Sequence, residues 1–321
     1  MTIHLLFTGG TISMQRDAAA GGNVPAHGGA ALVALAPELR RVAPFQVEDW
    51  ARMPACHLDQ ERLWALRERI RAIQDGEGLA GAARPRGIVV THGTDVLEET
   101  AYLLARTLDP AVPVALTGAM RTSSDGGWDG PRNLTDAATV AASPESAGRG
   151  AMVVFAGHVF AGHEAVKMDA MAPDAFGAPH GGPVGEVASG VVTFGSAPRL
   201  PRRVQPRGLR ARVALVPTVL GDTGELLDLA RPTHDGVVVV AFGSGNAPPG
   251  IVPSVRRWLS EGKPVVLASR CPYGVVTPAY AFEGGGARLI ELGVTPAGPR
   301  TPSQARMELT IALSAGVRYG A

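Results

Sequence analysis

The sequence predicts an α/β fold of two domains, with a parallel sheet at the core of the larger, N-terminal domain. Short runs of β-branched and other apolar residues alternate with segments whose apolar residues recur every three or four positions. The runs are continuously apolar, which is typical of parallel strands that helices cover on both faces. The chain has 321 residues, which is enough for two domains of about 150 residues each.

The elements of the N-terminal domain follow from this alternation. Strands are expected at residues 3–7, 87–91, 112–116 and 151–155, and each of them runs into a turn that contains glycine. Helices are expected at residues 60–73, 97–107 and 133–142. Strands and helices in this order predict a parallel sheet between two layers of helices.

A break in the pattern separates the two domains. Residues 196–212 contain three prolines and six arginines without helical or strand periodicity, which is typical of a linker. After them, strands are expected at residues 213–216, 236–242 and 264–269, and helices at residues 252–260 and 302–314. We therefore predict an N-terminal domain of residues 1–197, a linker of residues 198–212 and a C-terminal α/β domain of residues 213–321.

Composition excludes several classes of partner. Thirty basic and twenty-nine acidic residues leave a net charge of +1 without any block of like charge, which argues against a nucleic-acid or membrane partner. Apolar runs such as residues 237–242 are far shorter than the roughly 18 residues that span a bilayer. Residues 1–7 lack the basic region of a signal peptide. We therefore expect a soluble, cytoplasmic protein in which Cys56 and Cys271 are free and buried.

Three polar segments follow predicted strands, at the edge where open parallel sheets bind ligands. They are Thr8-Gly9-Gly10-Thr11-Ile12, Thr91-His92-Gly93-Thr94-Asp95 and Thr117-Gly118-Ala119-Met120-Arg121. A tight turn or a phosphate cradle would explain the first segment. However, no helical spacing follows it, and the chain contains neither common nucleotide-binding glycine motif. Asp95 could cap the next helix, but a cap does not explain His92 and Thr94.

The first two of these segments are similar to the two signatures of the bacterial L-asparaginase family. The second signature continues through Glu98-Glu99-Thr100-Ala101, and supporting strings follow in order along nearly the whole chain. These strings are Gly118-Ala119-Met120-Arg121, Asp129-Gly130-Pro131, Lys167 with Asp174-Ala175-Phe176, Gly245-Asn246, Ser269-Arg270 and Ala305-Arg306. The resemblance implies a flavodoxin-like N-terminal domain and hydrolysis of the asparagine side-chain amide to aspartate and ammonia. It also implies a homo-oligomer, either a dimer or a tetramer, whose sites form between neighbouring subunits.

The resemblance assigns catalytic roles to four residues. Thr11 matches the threonine that usually accepts the acyl group, whereas Thr94, Asp95 and Lys167 match the family's threonine–aspartate–lysine triad. Hydrolysis of an amide without a metal needs a nucleophile, a base and donors for the developing oxyanion. A lysine can release its proton whereas an arginine cannot, and only two of the thirty basic residues are lysines. Main-chain N–H groups around Thr94 are the expected oxyanion donors.

The substrate-binding side departs from the family pattern. Val24 stands thirteen residues after Thr11, where the family's mobile lid usually carries a tyrosine. Ala55 stands where a serine usually holds the substrate carboxylate. The acidic residue that a neighbouring subunit usually contributes has no clear match, and Glu283 is the candidate. The residues expected to bind the substrate are Ala55, Cys56, Thr94, Asp95, Asn246 and Glu283.

Three functions are compatible with this pattern. The first is an amidohydrolase that acts on asparagine or a close relative, with a small-molecule amide as its partner. The second is a hydrolase for a different amide, and the third is an inactive member that binds an amino acid. We expect no metal and no organic cofactor, because histidines such as His158 and His163 lack the spacing of metal ligands.

Overall fold

The computed structural model describes residues 2–77 and 84–320, which form two compact units that divide after Arg203. The strands of the N-terminal unit are β1 (Ile3–Gly9), β2 (Met14–Asp17), β3 (Gly22–Pro25), β4 (Phe45–Met53), β5 (Ile88–Thr91), β6 (Val114–Thr117), β7 (Ala151–Phe155), β8 (His158–Ala161), β9 (Val166–Lys167), β10 (Phe176–Gly177), β11 (Gly185–Ala188) and β12 (Val191–Phe194). Its α-helices are α1 (Gly29–Leu35), α2 (Gln60–Gln74), α3 (Leu97–Thr107) and α4 (Gly130–Ala142).

Eight of these strands form one sheet in the order β12-β11-β8-β7-β6-β5-β1-β4. The five strands from β4 to β7 are parallel, and β8, β11 and β12 add an antiparallel edge. Leu5 packs in one hydrophobic cluster with α1 and α4, whereas the adjacent Leu6 packs in another with α2 and α3. The predicted parallel sheet between two helical layers is therefore confirmed for its central strands.

The sequence-based prediction missed β4 and the antiparallel edge. Residues 45–53 alternate between exposed and half-buried positions and carry Glu48, Asp49 and Arg52, so they lack the continuous apolar run of a central strand. Elements that were predicted agree with the structure to within about three residues, and the bounds of β7 and α3 agree fully. Among the described residues, no helix is both long enough and apolar enough to cross a bilayer.

The C-terminal unit is a smaller α/β layer structure. Its strands are β13 (Val213–Pro217), β14 (Gly236–Ala241), β15 (Val265–Ser269) and β16 (Thr295–Pro296), all parallel and in this order. Its helices are α5 (Glu225–Ala230), α6 (Val252–Ser260), α7 (Gly286–Glu291) and α8 (Pro302–Ala315). Val237 and Val239 face α6, while Val238 faces α8. The prediction of a second α/β domain is confirmed, while the boundaries proposed for the linker stay a prediction.

The expectation that the two cysteines are buried is wrong. Cys56 and Cys271 are free and exposed. Both lie in turns just beyond strand ends, Cys56 after β4 and Cys271 after β15, so neither enters a packed layer.

His4 is a buried titratable group on β1. Its Nε2 lies 2.9 Å from Glu48 Oε2, and the same carboxylate accepts two hydrogen bonds from Arg69. Burial lowers the pKa of His4, because the charged ring would lose its solvation, and this effect outweighs the attraction of Glu48. The folded chain therefore binds a proton at His4 less readily than the unfolded chain does.

We expect the free energy of unfolding to decrease as the pH falls below about 6.5, because protonation then favours the unfolded chain. The contribution of His4 is present in full above this pH and is lost as the pH falls toward the lowered pKa of the folded state. Urea unfolding at a series of pH values measures the slope, and His4→Gln should make it shallower. Equal slopes for the variant and the wild type would show that His4 does not cause the pH dependence of the free energy of unfolding.

Candidate functional site

Four loops converge at the carboxyl edge of the parallel strands. A Cβ atom placed on Gly10, after β1, would lie 2.4 Å from Gly93 Cα, after β5. A Cβ on Gly93 would lie 2.7 Å from Ala55 Cβ, after β4, and one on Gly118, after β6, would lie 2.4 Å from the His92 carbonyl oxygen. These main chains therefore touch, which places the segments that carry Thr11, Ala55 and Thr94 side by side.

Lys167 joins this group from a different part of the unit. Its Nζ donates a hydrogen bond of 2.8 Å to Thr94 Oγ1 and lies 3.9 Å from Asp95 Oδ1. Thr94 is buried, the Lys167 side chain is 21% exposed and the Asp95 side chain is 58% exposed. A buried hydroxyl, a partly exposed amine and an exposed carboxylate thus meet at one place.

The position of Lys167 depends on an anchor that sequence reasoning missed. Lys167 belongs to the two-residue strand β9, which pairs with β10. Its main-chain N–H donates a 2.9 Å hydrogen bond to Glu98 Oε2 on α3. Glu98 stands within a signature string, but the sequence gives no sign of this contact, because no local pattern relates positions so far apart in the chain.

Thr11 stands at the start of a 3₁₀ turn (Thr11–Ser13) and is half-buried. Gly10 before it has a φ of 86°, a conformation that favours glycine. The Thr11 hydroxyl has no hydrogen-bond partner within the part of the chain that the structure describes. It is therefore free to contact a ligand.

The hairpin of β2 and β3 follows Thr11 and carries Val24. Three hydrogen bonds that involve serine side chains connect the hairpin and the segment after it to the loop after β6. His27 Nε2 lies 2.8 Å from Ser123 Oγ, and Ser123 Oγ donates a 3.1 Å hydrogen bond to the main-chain oxygen of Met14. Arg16 N–H donates to Ser124 Oγ at 3.0 Å. The loop after β6 therefore holds strand β2 and the segment that follows β3.

A short turn follows β4, and the helix cap predicted for Asp95 is absent. Ala55, Cys56 and His57 form a 3₁₀ turn, in which Ala55 is buried and Cys56 is exposed. Asp95 also does not cap α3, because the N-cap residue is Val96 and it makes no side-chain bond. The alternative explanation of Asp95 as a helix cap therefore fails.

Two of the expected substrate-binding residues lie in the C-terminal unit. Asn246 Oδ1 accepts a 3.4 Å hydrogen bond from Gly286 N–H. Glu283 is exposed and lines a cavity of about 590 Å³ together with Arg256 and Arg288. Their contact with substrate stays a prediction. No group of three or more His, Cys, Asp or Glu side chains in residues 2–77 and 84–320 is arranged to hold a metal ion.

Fold and site together define a two-domain α/β protein with a threonine–lysine pair at the carboxyl edge of its larger sheet. Comparison of the sequence with known protein families gives the same division into two domains. Residues 2–199 match the family described as "Asparaginase, N-terminal", and residues 212–319 match the "Glutaminase/Asparaginase C-terminal domain". The chain belongs to the asparaginase family.

Individual relatives are similar along almost their whole length. "Probable L-asparaginase" of Deinococcus radiodurans is 35% identical over 98% of this chain and 93% of that protein. "L-asparaginase 2" of Escherichia coli strain K12 is 29% identical over 97% of this chain and 88% of that protein. A crystal structure titled "Probable Cytoplasmic L-asparaginase from Campylobacter jejuni" has a TM-score of 0.83 and 28% identity over 98% of this chain and 95% of that chain.

Proposed function

We propose that the chain is an asparaginase-type amidohydrolase, which hydrolyses the side-chain amide of asparagine to aspartate and ammonia. One observation carries the proposal, namely the 2.8 Å hydrogen bond from Lys167 Nζ to Thr94 Oγ1, with Asp95 Oδ1 3.9 Å from the amine. An amine bonded to a hydroxyl can accept and return the proton of a nearby nucleophile, which acyl transfer requires. The names of the relatives support asparagine as the substrate.

Thr11 is the proposed nucleophile. Its hydroxyl oxygen attacks the amide carbon, the C–N bond breaks, and ammonia leaves with the proton that the hydroxyl gives up. Water then hydrolyses the resulting ester, which releases aspartate and restores Thr11. Thr94 and Lys167 accept and return the proton in both steps, while Asp95 binds the substrate ammonium.

Replacing Lys167 by Met should lower kcat by about a hundredfold or more, because Met fills a similar volume but accepts no proton. Lys263→Met is the matched control, since Lys263 is the other lysine of the chain and its Nζ contacts the Arg231 carbonyl instead. Steady-state ammonia release from asparagine measures both variants. A Lys167→Met variant that keeps more than about a tenth of the wild-type kcat would remove Lys167 from the catalytic group.

An acyl-enzyme that accumulates should carry its adduct on Thr11. Rapid acid quenching followed by peptide mass spectrometry locates the ester, and Thr11→Ala should remove it together with several decades of kcat. Thr94→Ala should slow the reaction for a different reason, because it breaks the link to Lys167. An adduct on Thr94 or Cys56 would reverse this assignment.

The substrate-binding side favours weak hydrolysis of L-asparagine. Ala55 is buried and presents a methyl group where the family resemblance leads us to expect a hydroxyl. One missing hydrogen bond to a charged carboxylate is worth about 1.5–3 kcal/mol. This observation also supports the alternative function, hydrolysis of another small amide whose α-groups are modified or absent.

We expect a KM for L-asparagine in the millimolar range or above, and the double variant Ala55→Ser, Val24→Tyr should gain activity. Ala55→Ser alone should lower KM by about ten- to a hundredfold, because it restores one hydrogen bond to a charged group. Ammonia release is measured for each variant with L-Asn. A micromolar KM of the wild type, or no gain in the double variant, would contradict this account of the two positions.

Ammonia release from L-Asn, L-Gln, D-Asn and succinamate-type amides, measured in parallel, tests the proposed function. Turnover of L-Asn supports the asparaginase, and turnover of another amide alone supports the alternative. Calorimetric binding of an amino acid without ammonia release would instead indicate an inactive, amino-acid-binding member.

We also propose a cytoplasmic homo-oligomer, either a dimer or a tetramer. Four large apolar side chains are more than half exposed within residues 219–229, namely Val219, Leu220, Leu226 and Leu229. Exposed apolar groups of this kind are typical of subunit contacts. The similarity to a structure titled cytoplasmic supports the compartment.

A further inference from the structure

One main-chain donor at the site is free. The N–H of Thr94 has no hydrogen-bond partner within residues 2–77 and 84–320, although the Thr94 hydroxyl is bound to Lys167. The carbonyl of the same peptide unit, that of Gly93, accepts a 2.7 Å hydrogen bond from Nδ1 of His92. A trans peptide is planar, so its C=O and N–H point in opposite directions. The bond to the Gly93 oxygen therefore fixes the direction of the Thr94 N–H.

The ring of His92 is held rigidly enough to act as a clamp. The residue is completely buried, and its Nε2 lies 3.1 Å from Thr100 Oγ1 on α3. Because the Gly93 oxygen can only accept, Nδ1 must carry the hydrogen, and Nε2 of the neutral ring is then an acceptor. The Thr100 hydroxyl has one hydrogen, which it shares between this Nε2 and the Val96 main-chain oxygen, each 3.1 Å from Thr100 Oγ1. Burial lowers the pKa of His92, which keeps the ring neutral.

We propose that His92 is a positioning residue, which turns the Gly93–Thr94 peptide so that the Thr94 N–H faces away from the buried ring and donates to the oxyanion of the reacting amide. The inference rests on the proposed function, because amide hydrolysis supplies that oxyanion. The main chain of Gly93 touches Gly10 and Ala55. The oriented N–H therefore lies beside the loop after β1 and the loop after β4. The donor is directed by a side chain that never touches the substrate.

Two substitutions at position 92 separate the clamp from general packing. The amide nitrogen of Asn can occupy the place of Nδ1 and donate to the Gly93 oxygen, whereas that of Gln reaches toward Thr100 and leaves the Gly93 oxygen unbound. His92→Gln should lower kcat by about a hundredfold, which is the typical effect of losing one oxyanion donor. KM should change by less than about threefold, because the oxyanion does not exist in the ground state. His92→Asn should recover most of the lost kcat.

His4→Gln is the matched control, because His4 is also a buried histidine whose pKa is lowered by burial. It should reduce stability while leaving kcat within about twofold of the wild type, since it lies in β1 away from the carboxyl edge. Equal losses in His92→Asn and His92→Gln would overturn the proposal. A rise in KM that explains the whole loss of kcat/KM would also overturn it.

The ring tautomer gives a readout that does not depend on turnover. Nitrogen-15 NMR of the histidine rings should show His92 as the neutral Nδ1–H tautomer, and an Nε2–H tautomer would overturn the clamp. If the wild type hydrolyses no amide, the proposed function fails, and the tautomer alone then decides whether His92 orients the peptide.

Discussion

The contact between the main chains of Gly10 and Gly93 is the constraint on which the site depends. A Cβ on Gly10 would come within 2.4 Å of both the nitrogen and the Cα of Gly93. No side chain at position 10 therefore fits between the two loops. Thr11 follows the first glycine and Thr94 follows the second. The separation of the two hydroxyl-bearing segments is thus set by two residues that have no side chains.

The Lys167 amine is held in place differently from the two threonines. The segments of Thr11 and Thr94 extend from central strands that are buried on both faces of the sheet. Lys167 belongs to a two-residue strand, and its main chain is anchored by β10 and by the Glu98 carboxylate. The sheet edge therefore positions the threonines, while a short peripheral segment brings the Lys167 amine to Thr94.

The central strands could be predicted because continuous apolar runs such as residues 237–242 have few other structural explanations. The edge strand β4 could not, since its charged and half-buried positions resemble those of a loop. The resemblance of two short strings and their supporting strings to a known family is enough to group Thr11, Thr94, Asp95 and Lys167 from the sequence alone. It does not reveal Glu98 holding the Lys167 main chain or Thr100 holding the His92 ring, because those contacts join elements that pack only after folding.

The two ends of the large sheet differ in a way that affects the behaviour of the protein at high concentration. In the described residues the sheet ends in β4 on one side and in β12 on the other. The first carries Glu48, Asp49 and Arg52, whereas β12 reads Val-Val-Thr-Phe and leaves Val191 64% exposed. Unpaired main-chain groups along an edge can recruit a strand from another molecule, and charged side chains oppose this. Aggregation by strand addition should therefore begin at the β12 side, where a single lysine or glutamate in place of Val191 would suppress it.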